Sequence, residues 1–344
     1  MSLSSTARLL SPEEIAVNSG EPAPFLRLPE RASVFADRAL RLRQLSAGHA
    51  MRDFLLFAAQ LTEAQHAALQ RERPGLVLPE PKALDDAARD GVAPLQADWL
   101  LRDAAWRPEL RDLLTALLPR LANSPARPMV EQVAAWDDDR LQQQAERLLT
   151  GVMQGLDLGA APLLAAGLQL HLTRLVLAVQ QRHDAAAAPG AIAPFGRVDD
   201  ATACPCCAGR PTASVTRIGA DTSGFRYLHC SLCATQWHLV RIKCARCDST
   251  KGITYRSLQP VEGRATPPAG AGRDAVQAEC CGECGHYLKI VHMTRDPQVE
   301  PVADDLASLT LDLLVAEEGL QRHGLNLLLL FGDPEGDADD PGGG

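Results

Sequence analysis

The sequence predicts an α+β fold: an N-terminal all-α helical domain, a β module hung on paired cysteines, and a C-terminal helix. Three observations carry this expectation. Apolar residues recur at helical spacing from about Ser33 to Gln181, the period falls to two between Cys204 and Met293, and all ten cysteines lie between Cys204 and Cys284. The 344 residues are enough for about two domains at roughly 100 to 200 residues each.

The helical region is rich in Leu, Ala, Gln and Arg, with stripes such as Phe54, Phe57, Ala58, Leu61, Ala64 and Ala68 that mark the buried face of an amphipathic helix. Breaks at RPGLVLPEP, at RLANSPARP and between Gly151 and Pro162 divide it into about six helices without a strand signal. The run from Ala161 to His183 is the most apolar, but Gln169, His171, Thr173 and Arg174 sit near its middle. It therefore reads as a buried helix and not as a membrane insertion. HDAAAAPGAIAPFG, residues 183 to 196, loses both charge and periodicity and ends the helical domain, which spans 1–196.

Short strands rich in β-branched and aromatic residues are expected at 213–219, 225–230, 235–243, 252–258 and 287–293. QPVEGRATPPAGAG, residues 259 to 272, reads as a mobile hairpin loop. Together these form a module over 197–294. Helical spacing then returns over 295–331, with Asp296 as cap, Pro297 in the first helical position and a stripe from Val299 to Leu320. The tail from Gly332 to the end has little to bury and reads as disordered.

The cysteines form four C-x-x-C pairs: Cys204 with Cys207, Cys230 with Cys233, Cys244 with Cys247, and Cys281 with Cys284. Two intervening residues let a tight turn aim both sulfurs at one ion, and two such turns complete a tetrahedron. Four pairs thus make two metal sites, on a scaffold of the rubredoxin or zinc-ribbon kind. Pairing neighbours closes loops of 22 and 33 residues, each long enough for a hairpin to run out and return. An interleaved grouping, first pair with third and second with fourth, is also sterically open. Cys206 and Cys280 are left over. His229, His238, His286 and His292 lie near the pairs, yet eight thiolates already fill two tetrahedra. Iron and zinc both accept four thiolates.

The start of the chain, MSLSSTARLLSPEEI, lacks the basic, apolar and small-residue regions of an export signal, so a cytoplasmic protein is expected. There, clustered cysteines bind metal more often than they form disulfides. A thioredoxin-type reading fails because that motif usually occurs once, near a βαβ pattern. The net charge of −9 divides as −3 over residues 1–196, +3 over 197–300 and −9 over 301–344. That is a poor footprint for a nucleic-acid partner, which is usually met by a strongly basic face, so the sequence predicts no nucleic acid. No cofactor-binding Gly-rich loop, spaced carboxylate pair or nucleophile–base motif marks an enzyme.

Three segments, CPCCAGRPTASV, GFRYLHCSLCATQWHLVRIKCARC and AECCGECGHYLKIVHMTRDPQVEPVADDLASLTLD, resemble the FdhE family, the accessory proteins of respiratory formate dehydrogenases. The resemblance is strong over roughly 204–320 and looser around FADRALRLRQLSAGHAMRDFLLFAAQL. It implies a cytoplasmic maturation factor that binds the catalytic subunit of a molybdopterin formate dehydrogenase before or during export. It also implies rubredoxin-type iron on the eight paired cysteines. Ala208 departs from the Gly common after a knuckle, and Cys206, Cys280 and the 259–272 loop read as local additions. A rubredoxin-like electron carrier and a nucleic-acid-binding zinc ribbon are the rival functions.

One partner surface is expected on the C-terminal helix. Glu300, Asp304 and Asp312 fall in one i, i+4 row with Ser308 between them and Asp305 beside it. The row reads either as a solvated acidic face or as a receiver of basic residues, supplied by the metal module or by the dehydrogenase subunit.

Overall fold

The computed structural model describes residues 23–186, 192–219, 224–259 and 275–330. The expectations for the N-terminal segment before residue 23, for most of the 259–272 loop and for the acidic tail fall outside the described residues.

Among the described residues, the first half holds eight α-helices: α1 (Val34–Ser46), α2 (Arg52–Gln70), α3 (Pro81–Arg89), α4 (Ala97–Arg102), α5 (Trp106–Leu117), α6 (Arg127–Ala134), α7 (Asp138–Thr150) and α8 (Ala161–Ala186). The expectation of about six undercounts them because α4 has six residues and α6 eight, too few turns for a periodic pattern to register. The central helix α8 is long and apolar enough to cross a membrane, yet 89% of its most apolar window is buried inside the fold.

Gln169, His171 and Arg174 near the middle of α8 have internal partners, whereas the buried Thr173 hydroxyl has none. His171 sits between Asp103 and Glu109 at 2.9 and 2.8 Å. Arg174 binds Glu109 and donates to the carbonyls of Ala68 and Arg71 at the end of α2, where helical carbonyls lack intrahelical donors. Burial alone would push the Glu109 carboxyl up, but His171 and Arg174 hold it below its ordinary range.

The second half forms one mixed sheet of β2 (Pro211–Thr216), β3 (Arg226–Cys230), β4 (Gln236–His238), β5 (Ile253–Arg256), β6 (Val276–Cys281), β7 (His286–His292) and β8 (Gln321–Arg322), to which β1 (Leu26–Arg27), from before α1, adds an edge. The order is β1-β4-β3-β2-β7-β6-β5, with β8 against β7. Strands β2 to β4 and β5 to β7 are two copies of one unit. In each, a C-x-x-C turn leads into an antiparallel hairpin, a second C-x-x-C turn follows, and a third strand returns against the second. The units join through β2 and β7, which run parallel.

The five expected strands are present: β3, β4 and β5 are shorter than expected, β2 starts two residues earlier and ends three earlier, and β7 is displaced by one residue. Three strands escaped the sequence reading. β1 and β8 have two residues each, and β6 is VQAECC, whose cysteines and glutamate mask its alternation.

The expected single C-terminal helix is two: α9 (Pro301–Ala307) and α10 (Leu309–Glu317). The cap is Glu300, not Asp296, and the proline in the first turn is Pro301, not Pro297. The Glu300 carboxylate accepts from the N–H groups of Val302 and Ala303 at 3.0 and 2.7 Å, satisfying donors that a helix start leaves open. The break at Ser308 has a visible cause. Lys289 Nζ, reaching from β7, donates to the Asp305 carbonyl at 2.6 Å, and the Ser308 hydroxyl donates to the Asp304 carbonyl at 2.7 Å, so the helical ladder gives way there.

Candidate metal centres

The two C-x-x-C turns of each unit converge. Cys204, Cys207, Cys230 and Cys233 form one group, and Cys244, Cys247, Cys281 and Cys284 another, with all sulfurs of a group within 4.8 Å of one another. The fold thus brings neighbouring pairs together and leaves the interleaved grouping apart. In the first centre the Cys204–Cys233, Cys207–Cys230 and Cys207–Cys233 sulfurs are 3.5, 3.4 and 3.6 Å apart. In the second, Cys244–Cys284 and Cys247–Cys281 are both 3.8 Å apart. A tetrahedral ion with metal–sulfur bonds of about 2.3 Å needs sulfurs about 3.8 Å apart, so the donor set and its size fit a four-thiolate metal.

Each turn has the same local build. The N–H of the residue after the second cysteine donates to the carbonyl of the first at three of the four turns: Ala208 to Cys204 at 2.8 Å, Asp248 to Cys244 at 3.1 Å and Gly285 to Cys281 at 3.0 Å. That residue has left-handed backbone at all four, with φ of 58° at Ala208, 59° at Ala234, 55° at Asp248 and 67° at Gly285. The left-handed bend turns backbone N–H groups toward sulfur, as in Leu232 to Cys230 and Arg246 to Cys244, both at 3.4 Å. A side chain in this region costs roughly 1–2 kcal/mol. Ala208→Gly is therefore expected to stabilise the metal-loaded protein by about 0.5–1 kcal/mol after the larger unfolded-state entropy of glycine is deducted. A denaturant midpoint that falls for this variant would count against the strain argument. Gly209 is favoured for another reason, since a Cβ there would stand 3.1 Å from the Cys230 sulfur and 3.3 Å from that of Cys207 and would press on both.

The centres differ in enclosure. All four sulfurs of the first belong to buried residues, and Cys204, Cys207, Cys230 and Cys233 sit in the same apolar cluster as the helical core. Gln169 of α8 donates to the Ser231 carbonyl inside the second turn at 2.7 Å, and the Leu95 N–H donates to the Cys206 carbonyl at 2.9 Å. Burial pushes the Cys204 thiol well above its ordinary range. Burial also opposes the Cys233 thiolate, but hydrogen bonds from the neighbouring thiols outweigh it and hold Cys233 well below. Only a cation lets all four become thiolates in so dry a pocket.

In the second centre Cys247 is exposed and Cys284 half-buried. Burial pushes Cys244 up to about 12, while backbone N–H groups of Cys284 and Glu283 overcome burial and hold Cys281 low. A chelator would reach an ion held there first. Treating the loaded protein with excess chelator should release metal in two phases of one ion each, and Cys284→Ser should abolish the faster. Loss of both ions in one phase would contradict the difference in enclosure.

The leftover cysteines lie outside both groups. Cys206 is fully buried and accepts a bond from the Thr235 hydroxyl at 3.4 Å. Cys280, on β6, is pushed up to about 11 by burial. The nearby histidines also stay out of the metal groups. His229 is buried against Arg38 and pushed down to about 3, by burial first and the Arg38 charge second. His292 bonds Thr216 and Gln277, His238 packs edge-on to Phe225 and Tyr227, and His286 meets the Cys284 carbonyl.

The expected acidic partner surface is not a surface. Glu300, Asp304, Asp305 and Asp312 are all buried, between 1% and 9% exposed. Glu300 pairs with Arg38 at 3.0 Å and Asp304 with Arg41 at 2.7 Å, both arginines coming from α1. Asp305 pairs with Lys289 of β7 and Arg322 of β8 at 3.0 and 2.6 Å. Asp312 binds the same two cations and the Tyr287 hydroxyl. The basic residues that the row receives come from its own chain, so neither the solvated face nor an external subunit accounts for it. Arg38 and Arg41 went unrecognised in the sequence, although both lie in the FADRALRLRQL stretch that carried the looser resemblance.

Comparison with known proteins covers most of the described chain. Family models for the FdhE N-terminal, central and C-terminal domains match residues 23–188, 203–241 and 242–329. The last two divide between the metal units, whereas the sequence reading kept both units in one module. A protein FdhE homolog of Klebsiella pneumoniae is 34% identical over 318 residues, covering 92% of this chain and 94% of that one. The protein FdhE of Salmonella dublin is 34% identical over 332 residues, covering 95% and 99%. The crystal structure of the FdhE protein from Pseudomonas aeruginosa superimposes with a TM-score of 0.74 at 35% identity, covering 90% of this chain and all of that one. With the helical half, both metal units and the C-terminal helices all matched, the chain belongs to the FdhE family.

Proposed function

We propose that this chain is a cytoplasmic accessory protein for the assembly of a respiratory molybdopterin formate dehydrogenase. It binds the catalytic subunit before or during export and performs no reaction of its own. The observation that carries this reading is the extent of the family match, which includes every C-x-x-C turn and the helical half that encloses the first centre. Each centre holds one ion on four thiolates, iron in preference to zinc.

The test is capture from the native host. Tagged chain should retain the catalytic subunit when the host expresses formate dehydrogenase, and deletion of the gene should lower formate-dependent respiration until the gene is restored. Unchanged respiration in the deletion strain, together with no catalytic subunit on the tagged protein, would sink the reading.

The half-exposed second centre favours one further reading, a rubredoxin-like one-electron exchange, because an exposed thiolate shortens the path to a donor or acceptor. Protein purified without air from iron-replete cells should then be coloured and bleach reversibly on reduction. A colourless, zinc-only protein from such cells rules out the redox reading and leaves the accessory role standing.

A further inference from the structure

A cleft of about 410 Å³ lies where the helical half, the first metal unit and the C-terminal segment meet. Its size falls in the range of roughly 300–1,000 Å³ typical of small-ligand sites, which favour such junctions. One wall is the face of α1 carrying Val34, Asp37 and Leu40, the floor is β2 to β4, and the far side is the stretch from Met293 to Pro301. Ala234, the residue after Cys233, also lines it, so the cleft adjoins a turn of the first metal centre.

Two arginines line this cleft without a carboxylate partner. Arg27 and Arg217 form no ion pair among the described residues. Arg217 Nη1 donates to the Gln236 side chain at 3.0 Å, while its Nε is buried with no acceptor. Arg41 Nη1 is likewise buried without one, although its other nitrogens hold Asp304 and Asp296. Burial first, and the nearby Arg27 charge second, depress the Arg217 guanidinium, so an added anion relieves both the repulsion and the missing acceptor. Leaving buried donors unmade is costly, and a guanidinium fork matches a planar oxyanion.

The rest of the lining narrows the class of anion. Glu30 and Asp37 share the cleft and oppose a dianion such as phosphate more strongly than a single negative charge. Leu28, Val34, Val215, Met293 and Val299 supply apolar wall, with Leu40 57% exposed beside them. We propose that the cleft binds a carboxylate carried on an apolar body, held by Arg217 and Arg27. The carboxylate comes from a free organic acid or from an acidic side chain in an apolar segment of a partner polypeptide. The proposal stands apart from the formate dehydrogenase reading and needs no identified subunit.

Calorimetric titration of the metal-loaded full chain tests it with two probes. One is 4-methylpentanoate, and the other is a blocked tetrapeptide, acetyl-Leu-Val-Asp-Leu-amide. 4-Methylpentanamide, the Asn version of the peptide and inorganic phosphate serve as comparisons. At least one carboxylate probe should bind saturably, with its amide counterpart weaker by roughly ten-fold or more, and Arg217→Gln and Arg27→Gln should each weaken it roughly ten-fold. Binding of the free acid assigns the site to a small acid, and binding of the peptide alone assigns it to a partner segment. Should Arg217→Gln fail to fold, Arg27→Gln, at a half-buried position, still decides. The proposal is overturned if neither probe binds, if phosphate binds more tightly than either, if the amides bind equally well, or if Arg27→Gln changes nothing.

Discussion

Replacing Asp304 and Asp305 together with asparagine is expected to unfold the protein or strip it of most of its stability. Each change removes one partner of a buried ion pair and leaves Arg41 with Asp296 alone, or Lys289 and Arg322 sharing Asp312 alone. These cations are 1%, 1% and 18% exposed at the side chain. Leaving a buried charge wholly unpaired costs roughly 3–5 kcal/mol. With Asp296 and Asp312 still in place each loss falls toward or below the lower end of that range, and two together still approach the low end of the roughly 5–15 kcal/mol typical of a whole domain. The effect reaches both halves, because Asp304 ties α9 to α1 and Asp305 ties it to β7 and β8. Chemical denaturation of the double variant, compared with Asp304→Asn alone, measures it. A double variant with an unshifted midpoint would show that these pairs are stabilised elsewhere.

The Asp305 pairs set an acid limit. Burial alone would raise the Asp305 carboxyl, but Arg322 and Lys289 overcome it and hold the folded value low. A depressed carboxylate contributes stability that is complete above its unfolded value near 3.9 and is lost as pH falls through the folded one. Acid unfolding should therefore become gentler once Asp305 is replaced, even though the variant starts from lower stability.

Cys230→Ser is expected to release one ion and to collapse the first metal unit together with the helical core it shares. Cys284→Ser should release one ion and loosen chiefly β5 to β7. Structural zinc contributes on the order of ten kcal/mol to the folding of small metal modules. The difference in reach comes from enclosure. The four cysteines of the first centre belong to the apolar cluster of Leu95, Trp106 and the leucines of α8, whereas neither apolar cluster includes Cys244, Cys247, Cys281 or Cys284. Metal content by mass spectrometry, paired with far-ultraviolet dichroism during heating, separates the two variants. Cys206→Ser should keep both ions, since its sulfur lies outside the first group. A Cys206 variant that loses an ion while a Cys204 variant keeps both would overturn the ligand assignment.

What the sequence determined by itself is what short-range covalent geometry determines. A C-x-x-C spacing can only make a tight two-thiol turn, four of them make two tetrahedra, and period changes at Cys204 and Met293 mark where helix gives way to strand and back. Loop lengths left two groupings of those turns open, because 22 and 33 residues permit a hairpin without compelling one. Pairing of β2 with β3 and of β5 with β6 decided it, bringing the turns at the ends of each hairpin to one ion. The acidic row shows the other limit most plainly. Its helical spacing is legible, but a helical pattern does not reveal which of its faces is covered or by what. Arg38 and Arg41 lie more than 250 positions earlier in the chain, and only the packing of α9 and α10 against α1, β7 and β8 turns a row of like charges into buried ion pairs. Charge in a sequence is a local property, whereas desolvation and pairing belong to the assembled fold, and that is why the tertiary structure alone assigned these residues their work.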